Sequence, residues 1–277
     1  METDLYSIFL FSSFAFGCVI ASFLNVVIWR VPRGESIVSP PSHCPRCDSK
    51  IKWYQNIPVV SYLALRGRCS NCKAHISLRY PTVELLGGLL FLATSVKFGM
   101  LSVALWIWVA LMIIGTFIDI DHKLLPDFVT VGGMILGLVI NGAISCIPVP
   151  GAEFFFSCQF FKLPILNSIV GLAVGFGSLL LVRQLGTMAF RREAMGMGDV
   201  FLMGAVGAMF GPVAVLFSIM FSAVLGSVVG VALILFGKSK TGTFIEIPYG
   251  PYIYSAVTLW MFYGPELVHM YLSLLKI

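Results

Sequence analysis

Long apolar runs alternate with shorter polar connections along most of the chain. Eight such runs can be distinguished, and most approach the roughly 20 residues that a helix needs to cross the hydrocarbon core of a bilayer. They cover residues 6–29, 83–98, 101–118, 128–147, 166–183, 200–212, 213–236 and 252–274. The pattern therefore predicts an all-α polytopic membrane protein with about eight transmembrane helices.

The composition supports this prediction. Apolar residues make up 58% of the 277-residue chain and charged residues only 11%, with a mean hydropathy of +0.94. Soluble globular domains carry roughly 25% charged residues, so a chain this apolar has lipid as its main solvent. The first apolar run is not expected to be a removable signal peptide, because Asp4 stands where a basic start belongs and the run is too long for a signal core.

The positions of Lys and Arg predict the orientation in the membrane, since cytoplasmic connections are enriched in both. With an outer N-terminus and eight spans, fifteen of the eighteen basic residues lie inside, nine of them in residues 30–80. The three that lie outside are Lys97, Lys162 and Lys276. The segments 30–80, 119–127, 184–199 and 237–251 are therefore predicted to share the cytoplasmic side.

Residues 30–80 form the one sizeable polar block and contain two CxxC pairs. Cys44-Pro-Arg-Cys47 and Cys69-Ser-Asn-Cys72 are separated by 21 residues. Each pair can offer two thiolates from one tight turn, and two facing turns make a tetrahedral four-sulfur site that suits Zn²⁺. We predict that Cys44, Cys47, Cys69 and Cys72 bind a structural Zn²⁺ ion, which would help a segment too short for a large core to fold.

Other interpretations of the cysteines are weaker. Two disulfides are disfavoured by the predicted cytoplasmic location, where thiols stay reduced. A catalytic Zn²⁺ is disfavoured because four thiolates leave no open coordination position. Cys18, Cys146 and Cys158 are interpreted as ordinary apolar or interfacial residues.

Acidic residues are scarce, thirteen in all, and two groups lie at predicted membrane edges. Asp119, Asp121 and Asp127 follow the third run, and Asp199 ends a Gly-Met-Gly-Asp sequence where a helical run begins. Ionisable groups at membrane depth are costly and usually functional. Two carboxylates brought together can divide the roles of base and acid in amide hydrolysis. Alternatively, Asp127 and Asp199 are helix N-caps and the other two are solvated charges.

Taken in order, the motifs resemble those of the prepilin leader peptidases, or type IV prepilin peptidases, a bacterial family of GxGD aspartic membrane proteases. The resemblance covers nearly the whole chain, and GxGD by itself would be weak evidence. The segments that carry it are SFLNVV at 22–27, Arg30-Val-Pro32, HCPRC, WYQNIPVVSYLALRGRC, ISLRYPTVELL, DIDHKLLPD, MGMGD and IPYGPY at 247–252.

The resemblance implies that Asp119 and Asp199 are the catalytic aspartates, with Asp121 as the alternative to Asp119. It implies removal of the leader from type IV prepilins or secretion-system pseudopilins at the cytoplasmic face of the bacterial inner membrane. Members with the four-cysteine insert also N-methylate the new N-terminal residue with S-adenosylmethionine. No glycine-rich strand–turn–helix marks a methyl-donor site, so its residues stay unassigned. Prepilin-like proteins and membrane lipid are the expected partners, and nucleic acid is not.

The expected organisation is a first transmembrane helix in 1–29, a cytoplasmic zinc-binding insert in 30–80 and a membrane peptidase domain in 81–277. Three alternatives differ in function. They are a peptidase without methylation, a transporter whose membrane carboxylates carry protons, and a non-catalytic assembly factor. Transporters usually show internal repeat symmetry, and none is found here. Neither the transporter nor the assembly factor explains the ordered set of motifs.

Overall fold

The structure, a computed structural model, describes residues 2–147, 161–191, 193, 195–236 and 247–274. Throughout these ranges the regular elements are helices, joined in the insert by two isolated β-bridges, His43–Lys50 and Arg68–His75. The all-α fold class predicted from the apolar pattern is therefore confirmed. Cys158, Arg192, Lys238, Lys240 and Lys276 lie outside the described residues.

Nine α-helices occur in the described ranges, and eight of them coincide with the eight predicted runs. The ninth, α2, is a short helix within the insert, and no apolar run predicts it. In chain order they are α1 (Glu2–Arg30), α2 (Val60–Ala64), α3 (Arg79–Phe98), α4 (Ser102–His122), α5 (Asp127–Cys146), α6 (Pro164–Phe190), α7 (Met197–Phe210), α8 (Pro212–Leu235) and α9 (Gly250–Leu274). Several helices extend past their apolar runs, because helical hydrogen bonding continues through polar residues outside the hydrocarbon.

Five described stretches are long and apolar enough to cross a membrane, which makes the chain a multi-pass membrane protein. One of them, Arg79–His122, contains both α3 and α4, whereas α7 is shorter than a full span. The total of eight spans accordingly stays a prediction. The five stretches are Asp4–Arg33, Arg79–His122, Asp127–Cys146, Pro164–Phe190 and Pro212–Leu235.

The chain divides into two compact units, Met1–Ile114 and Gly115–Ile277. In the first unit, α1 and α3 pack closely because glycines face each other. A Cβ atom on Gly17 would lie 2.8 Å from the carbonyl oxygen of Gly87, and one on Gly87 would lie 3.1 Å from that of Gly17. Small residues at a helix contact allow this backbone approach, which is a common way to join helices in lipid. The pair supports the insert that connects α1 to α3.

In the second unit, α7 is apolar on every side and is surrounded by α5, α6 and α8. Gly171 of α6 and Gly207 of α7 meet backbone to backbone, so that a side chain on either would overlap the other helix. The amide of Asn141 in α5 donates to the carbonyl oxygens of Ala208 and Met209, both at 3.2 Å. These contacts hold the last turn of α7, while Asp199 lies in its first turn.

Candidate active site

Asp119 lies near the end of α4, and its side chain is held by the start of α9. It is 5% exposed, and its Oδ2 accepts a hydrogen bond from the backbone N–H of Gly250 at 2.9 Å. The first N–H groups of a helix have no partner within it and favour negative charge. A Cβ atom at position 250 would lie 2.7 Å from this oxygen, so the contact requires glycine.

Asp199 lies in the first turn of α7, close enough to Asp119 for their carboxylates to interact electrostatically. The N-cap of α7 is Gly196, three residues before the expected N-cap, so the interpretation of Asp199 as N-cap is wrong. Glycine is among the residues that occur at N-caps, so the helix can begin at Gly196 without a side-chain cap. A Cβ atom on Gly198 would lie 2.9 Å from the Cβ of Leu125, which explains one glycine of the GxGD sequence by packing.

The other two aspartates have different surroundings. Asp121 is exposed, two residues beyond Asp119, and therefore lies on a different side of α4. Asp127 is exposed as well and is the first residue of α5, following the N-cap Pro126. Two of the four predicted candidates, Asp119 and Asp199, are thus brought together.

Two tyrosines near these carboxylates had no role in the sequence analysis. Tyr249 and the hydroxyl of Ser222 share a hydrogen bond of 2.7 Å, and the tyrosine lies in the electrostatic field of Asp199. Tyr254 is 4% exposed, lies in the field of both aspartates and places its ring against Gly115, one turn before Asp119. Its hydroxyl has no hydrogen-bond partner among the described residues. The IPYGPY motif at 247–252 includes Tyr249 and ends two residues before Tyr254. Both tyrosines are far from the aspartates in sequence, so no spacing pattern predicts that they lie near them.

The arrangement suits amide hydrolysis. Asp119 is buried and accepts a backbone hydrogen bond, while Asp199 is only partly buried at a helix start. Two carboxylates in one low-dielectric site do not both ionise readily and can share a proton. Such a pair can take a proton from water and give one to a leaving amine.

In the first unit, the two CxxC turns have the same backbone construction. The carbonyl oxygen of Cys44 accepts the N–H of Asp48 at 2.9 Å, and that of Cys69 accepts the N–H of Lys73 at 3.1 Å. Asp48 and Lys73 both have positive φ, 56° and 59°, and reverse the chain after the second cysteine. Each turn therefore presents its two sulfur atoms on one side.

The four sulfur atoms lie within 4.8 Å of one another. The Sγ of Cys44 is 3.9 Å from that of Cys72, and the Sγ of Cys47 is 4.0 Å from that of Cys69. A tetrahedral ion with Zn–S bonds of about 2.3 Å has sulfur atoms about 3.8 Å apart, so the donor set fits Zn²⁺. A hydrogen bond with the Ser49 side chain, together with its backbone, lowers the pKa of the Cys47 thiol to about 6.

Comparison with known proteins assigns both units. Residues 15–98 match the Bacterial Peptidase A24 N-terminal domain, and residues 106–231 match the Type IV leader peptidase family. A prepilin leader peptidase/N-methyltransferase of Stutzerimonas stutzeri is 32% identical over 294 aligned residues, covering 97% of this chain and 96% of the relative. The chain belongs to the type IV leader peptidase family. It is accordingly a multi-pass protein of the bacterial inner membrane.

Other members of the family are comparably similar. A prepilin leader peptidase/N-methyltransferase of Myxococcus xanthus is 41% identical over 83% of this chain, which spans only 64% of that relative. A type 4 prepilin-like proteins leader peptide-processing enzyme of Escherichia coli is 36% identical over 85% of this chain and 87% of the relative. No solved structure matches the chain. Family membership leaves the transporter and assembly-factor alternatives without support.

Proposed function

We propose that this protein removes the leader peptide from type IV prepilins or pseudopilins at the cytoplasmic face of the inner membrane and then N-methylates the new N-terminal residue. The observation that carries the proposal is the meeting of two aspartates from α4 and α7 at the start of α9, in a chain of this family. The cytoplasmic orientation is supported by the distribution of Lys and Arg.

For cleavage, Asp119 acts as the base and Asp199 as the acid. The N–H of Gly250 stabilises negative charge on Asp119, which therefore takes a proton from the attacking water. The water oxygen bonds to the scissile carbonyl carbon, and Asp199 protonates the amide nitrogen as the carbon–nitrogen bond breaks. Tyr254 of α9 and Tyr249, which directly precedes α9, lie near the two carboxylates.

The insert has a structural role in this proposal. Cys44, Cys47, Cys69 and Cys72 hold one Zn²⁺ ion, as their spacing and four-sulfur donor set support. The organisation into a first helix in 1–29, a zinc-binding insert in 30–80 and a peptidase domain in 81–277 is part of the same proposal. For methylation, S-adenosylmethionine supplies the methyl group, and the chain must hold the donor beside the amine exposed by cleavage.

Mass spectrometry of a pilin-like subunit tests both activities in one measurement. The subunit is isolated from cells that contain the protein, from cells that lack it, and from cells complemented with the wild-type gene. The proposal expects leader removal and one added methyl group only when the protein is present. An unprocessed subunit in all three would contradict the peptidase assignment, and a processed but unmethylated subunit would contradict the methylation assignment alone.

A further inference from the structure

A cavity of about 570 Å³ lies within the first unit, between the end of α1, the insert and the start of α3. Small-molecule sites usually enclose roughly 300–1,000 Å³. Three motif segments that have no role in the cleavage proposed above meet at this cavity. They are SFLNVV at 22–27, WYQNIPVVSYLALRGRC and ISLRYPTVELL. The sequence gives no local sign of such a cavity, because its walls come from positions spread over more than sixty residues.

One wall of the cavity carries a buried carboxyl group. Glu84 of α3 is 8% exposed, and its Oε2 accepts the backbone N–H of Val59 at 2.7 Å. Ser22 of α1 also hydrogen-bonds to this carboxylate. A buried carboxylate is costly unless an opposite charge compensates it.

The groups that act on the Glu84 carboxyl are the Val59 N–H and the Ser22 side chain, and no Lys or Arg is among them. Arg30 also lines the cavity, but its guanidinium donates to the carbonyl oxygens of Ser36 and Pro40, at 2.8 and 2.7 Å. Glu84 therefore has no basic partner of its own, while Arg46 and Lys50 line other parts of the cavity. The lining suits a ligand that carries a positive charge for Glu84 and an anionic group elsewhere.

The remaining lining is suited to a polar, nucleoside-sized ligand. Asn25 is 7% exposed, and its side-chain amide donates a hydrogen bond to the carbonyl oxygen of Tyr80 at 3.2 Å. Its side-chain oxygen is then available as an acceptor in the cavity. Gln55 adds a second amide, and Tyr62 adds an aromatic ring. A few hydrogen-bonding and charged groups beside an aromatic surface are typical of small-molecule sites.

We propose that this cavity binds the methyl donor S-adenosylmethionine, with Glu84 opposite its positively charged sulfonium. The proposal rests on the methyl transfer proposed above, which requires a cationic donor that joins a nucleoside to an amino acid. Because the cavity lies in the first unit and the two aspartates lie in the second, loss of donor binding should leave leader cleavage intact.

The test uses the full chain purified in detergent. Radiolabelled S-adenosylmethionine is crosslinked by ultraviolet light, and the labelled peptides are identified by mass spectrometry. Affinities for S-adenosylmethionine and for S-adenosylhomocysteine, its uncharged-sulfur product, are measured by titration calorimetry for wild type, Glu84→Gln and Asp127→Asn. Glutamine keeps an oxygen for the Val59 N–H but removes the charge. Asp127 is exposed and lies in α5 of the second unit, outside the cavity lining, so it controls for the loss of one negative charge.

We expect crosslinks within residues 22–84 and a loss of roughly tenfold or more in S-adenosylmethionine affinity for Glu84→Gln, with a smaller loss for S-adenosylhomocysteine. Asp127→Asn should bind both as wild type does, and all three proteins should cleave a prepilin peptide. Crosslinks confined to residues 115–277, or unchanged donor affinity in Glu84→Gln, would overturn the site. An equal loss for both ligands would overturn the pairing of Glu84 with the sulfonium. Donor crosslinked in the cavity of a wild-type protein that yields only unmethylated product would contradict the proposed methylation and not the binding site.

Discussion

The insert and the aspartate site position their reactive atoms in opposite ways. In the insert, each pair of sulfurs is set by a turn of a few residues, and the two turns share one backbone construction. At the aspartate site, the decisive hydrogen bond joins Gly250 to a residue 131 positions earlier, and the helices that carry it meet through glycines. In the function proposed above, an ion holds the parts of the first region together, whereas the second is held by backbone packing. The two regions should therefore fail under different perturbations.

The largest effect is expected for the aspartates. Asp119→Asn and Asp199→Asn keep the size of each side chain but remove the proton exchange, so each should lower leader cleavage by about a hundredfold to ten-thousandfold. The metal content should stay at the wild-type level, because neither residue belongs to the insert. Cleavage of a purified prepilin is followed by mass spectrometry, with metal measured on the same samples.

Two exposed aspartates serve as controls for that experiment. Asp121→Asn and Asp127→Asn should keep substantial activity, since both side chains are exposed, away from the Gly250 contact. Normal cleavage by a folded Asp199→Asn protein would refute the two-carboxylate mechanism. An inactive Asp121→Asn beside an active Asp119→Asn would assign the role of base to Asp121 instead of Asp119.

The next effect should be confined to the insert. Cys44→Ser or Cys69→Ser removes one of four sulfur ligands, and metal binding is coupled to folding of such segments. We expect loss of most of the bound Zn²⁺, rapid proteolysis within residues 30–80 and loss of methylation, while part of the leader cleavage remains. Metal analysis, limited proteolysis and product mass spectrometry check the three parts.

Cys18→Ser is the matched control, because this cysteine lies in α1 away from the sulfur cluster. Full metal loss with an unchanged proteolysis pattern would show that the ion does not stabilise the insert. Equal loss of cleavage and methylation would mean that the insert supports the whole protein, and the contrast between the two regions would then disappear.

A smaller effect on the aspartate site is expected from Gly250→Ala. The added methyl group would lie 2.7 Å from Oδ2 of Asp119, so the carboxylate must move away from the N–H that holds it. Displacement of a catalytic group by a fraction of an ångström to one ångström should lower cleavage by about tenfold to a hundredfold. Gly226→Ala in α8, where the nearest atom would be 3.6 Å away, is the control. Equal rates for the two variants would argue against a positioning role for Gly250.

The smallest effect concerns stability in the second unit, and α5 offers a matched pair of glycines. A Cβ atom on Gly137 would lie 2.6 Å from the backbone of Ala208, whereas one on Gly132 would meet nothing within 4 Å. Gly137→Ala should destabilise the protein by about 1–3 kcal/mol through overpacking. Gly132→Ala should change stability by less than about 1 kcal/mol. Thermal unfolding in detergent measures both, and equal midpoints would contradict the close packing of α5 on α7.

Sequence reasoning was most successful where the determinants are local. Eight apolar runs predicted eight helices, and the spacing of Cys44, Cys47, Cys69 and Cys72 predicted a cluster that the structure shows. The helix start at Gly196 was missed because an N-cap glycine leaves no side-chain signature. Gly250, Tyr254 and the cavity around Glu84 depend on contacts between distant segments, which hydrophobic periodicity does not encode. The catalytic assignment of Asp119 and Asp199 stays a prediction until the variants are measured.

The hydrogen bond from Gly250 to Asp119 also bears on how the enzyme could escape an inhibitor. Its donor belongs to the main chain, so among side-chain replacements only proline would delete it. An inhibitor with its own acceptor could take the place of the Asp119 carboxylate on the Gly250 N–H. Substitutions other than proline would leave that N–H in place. Any larger residue at that position would crowd the carboxylate and impair the enzyme itself, so resistance gained there should carry a loss of pilin processing.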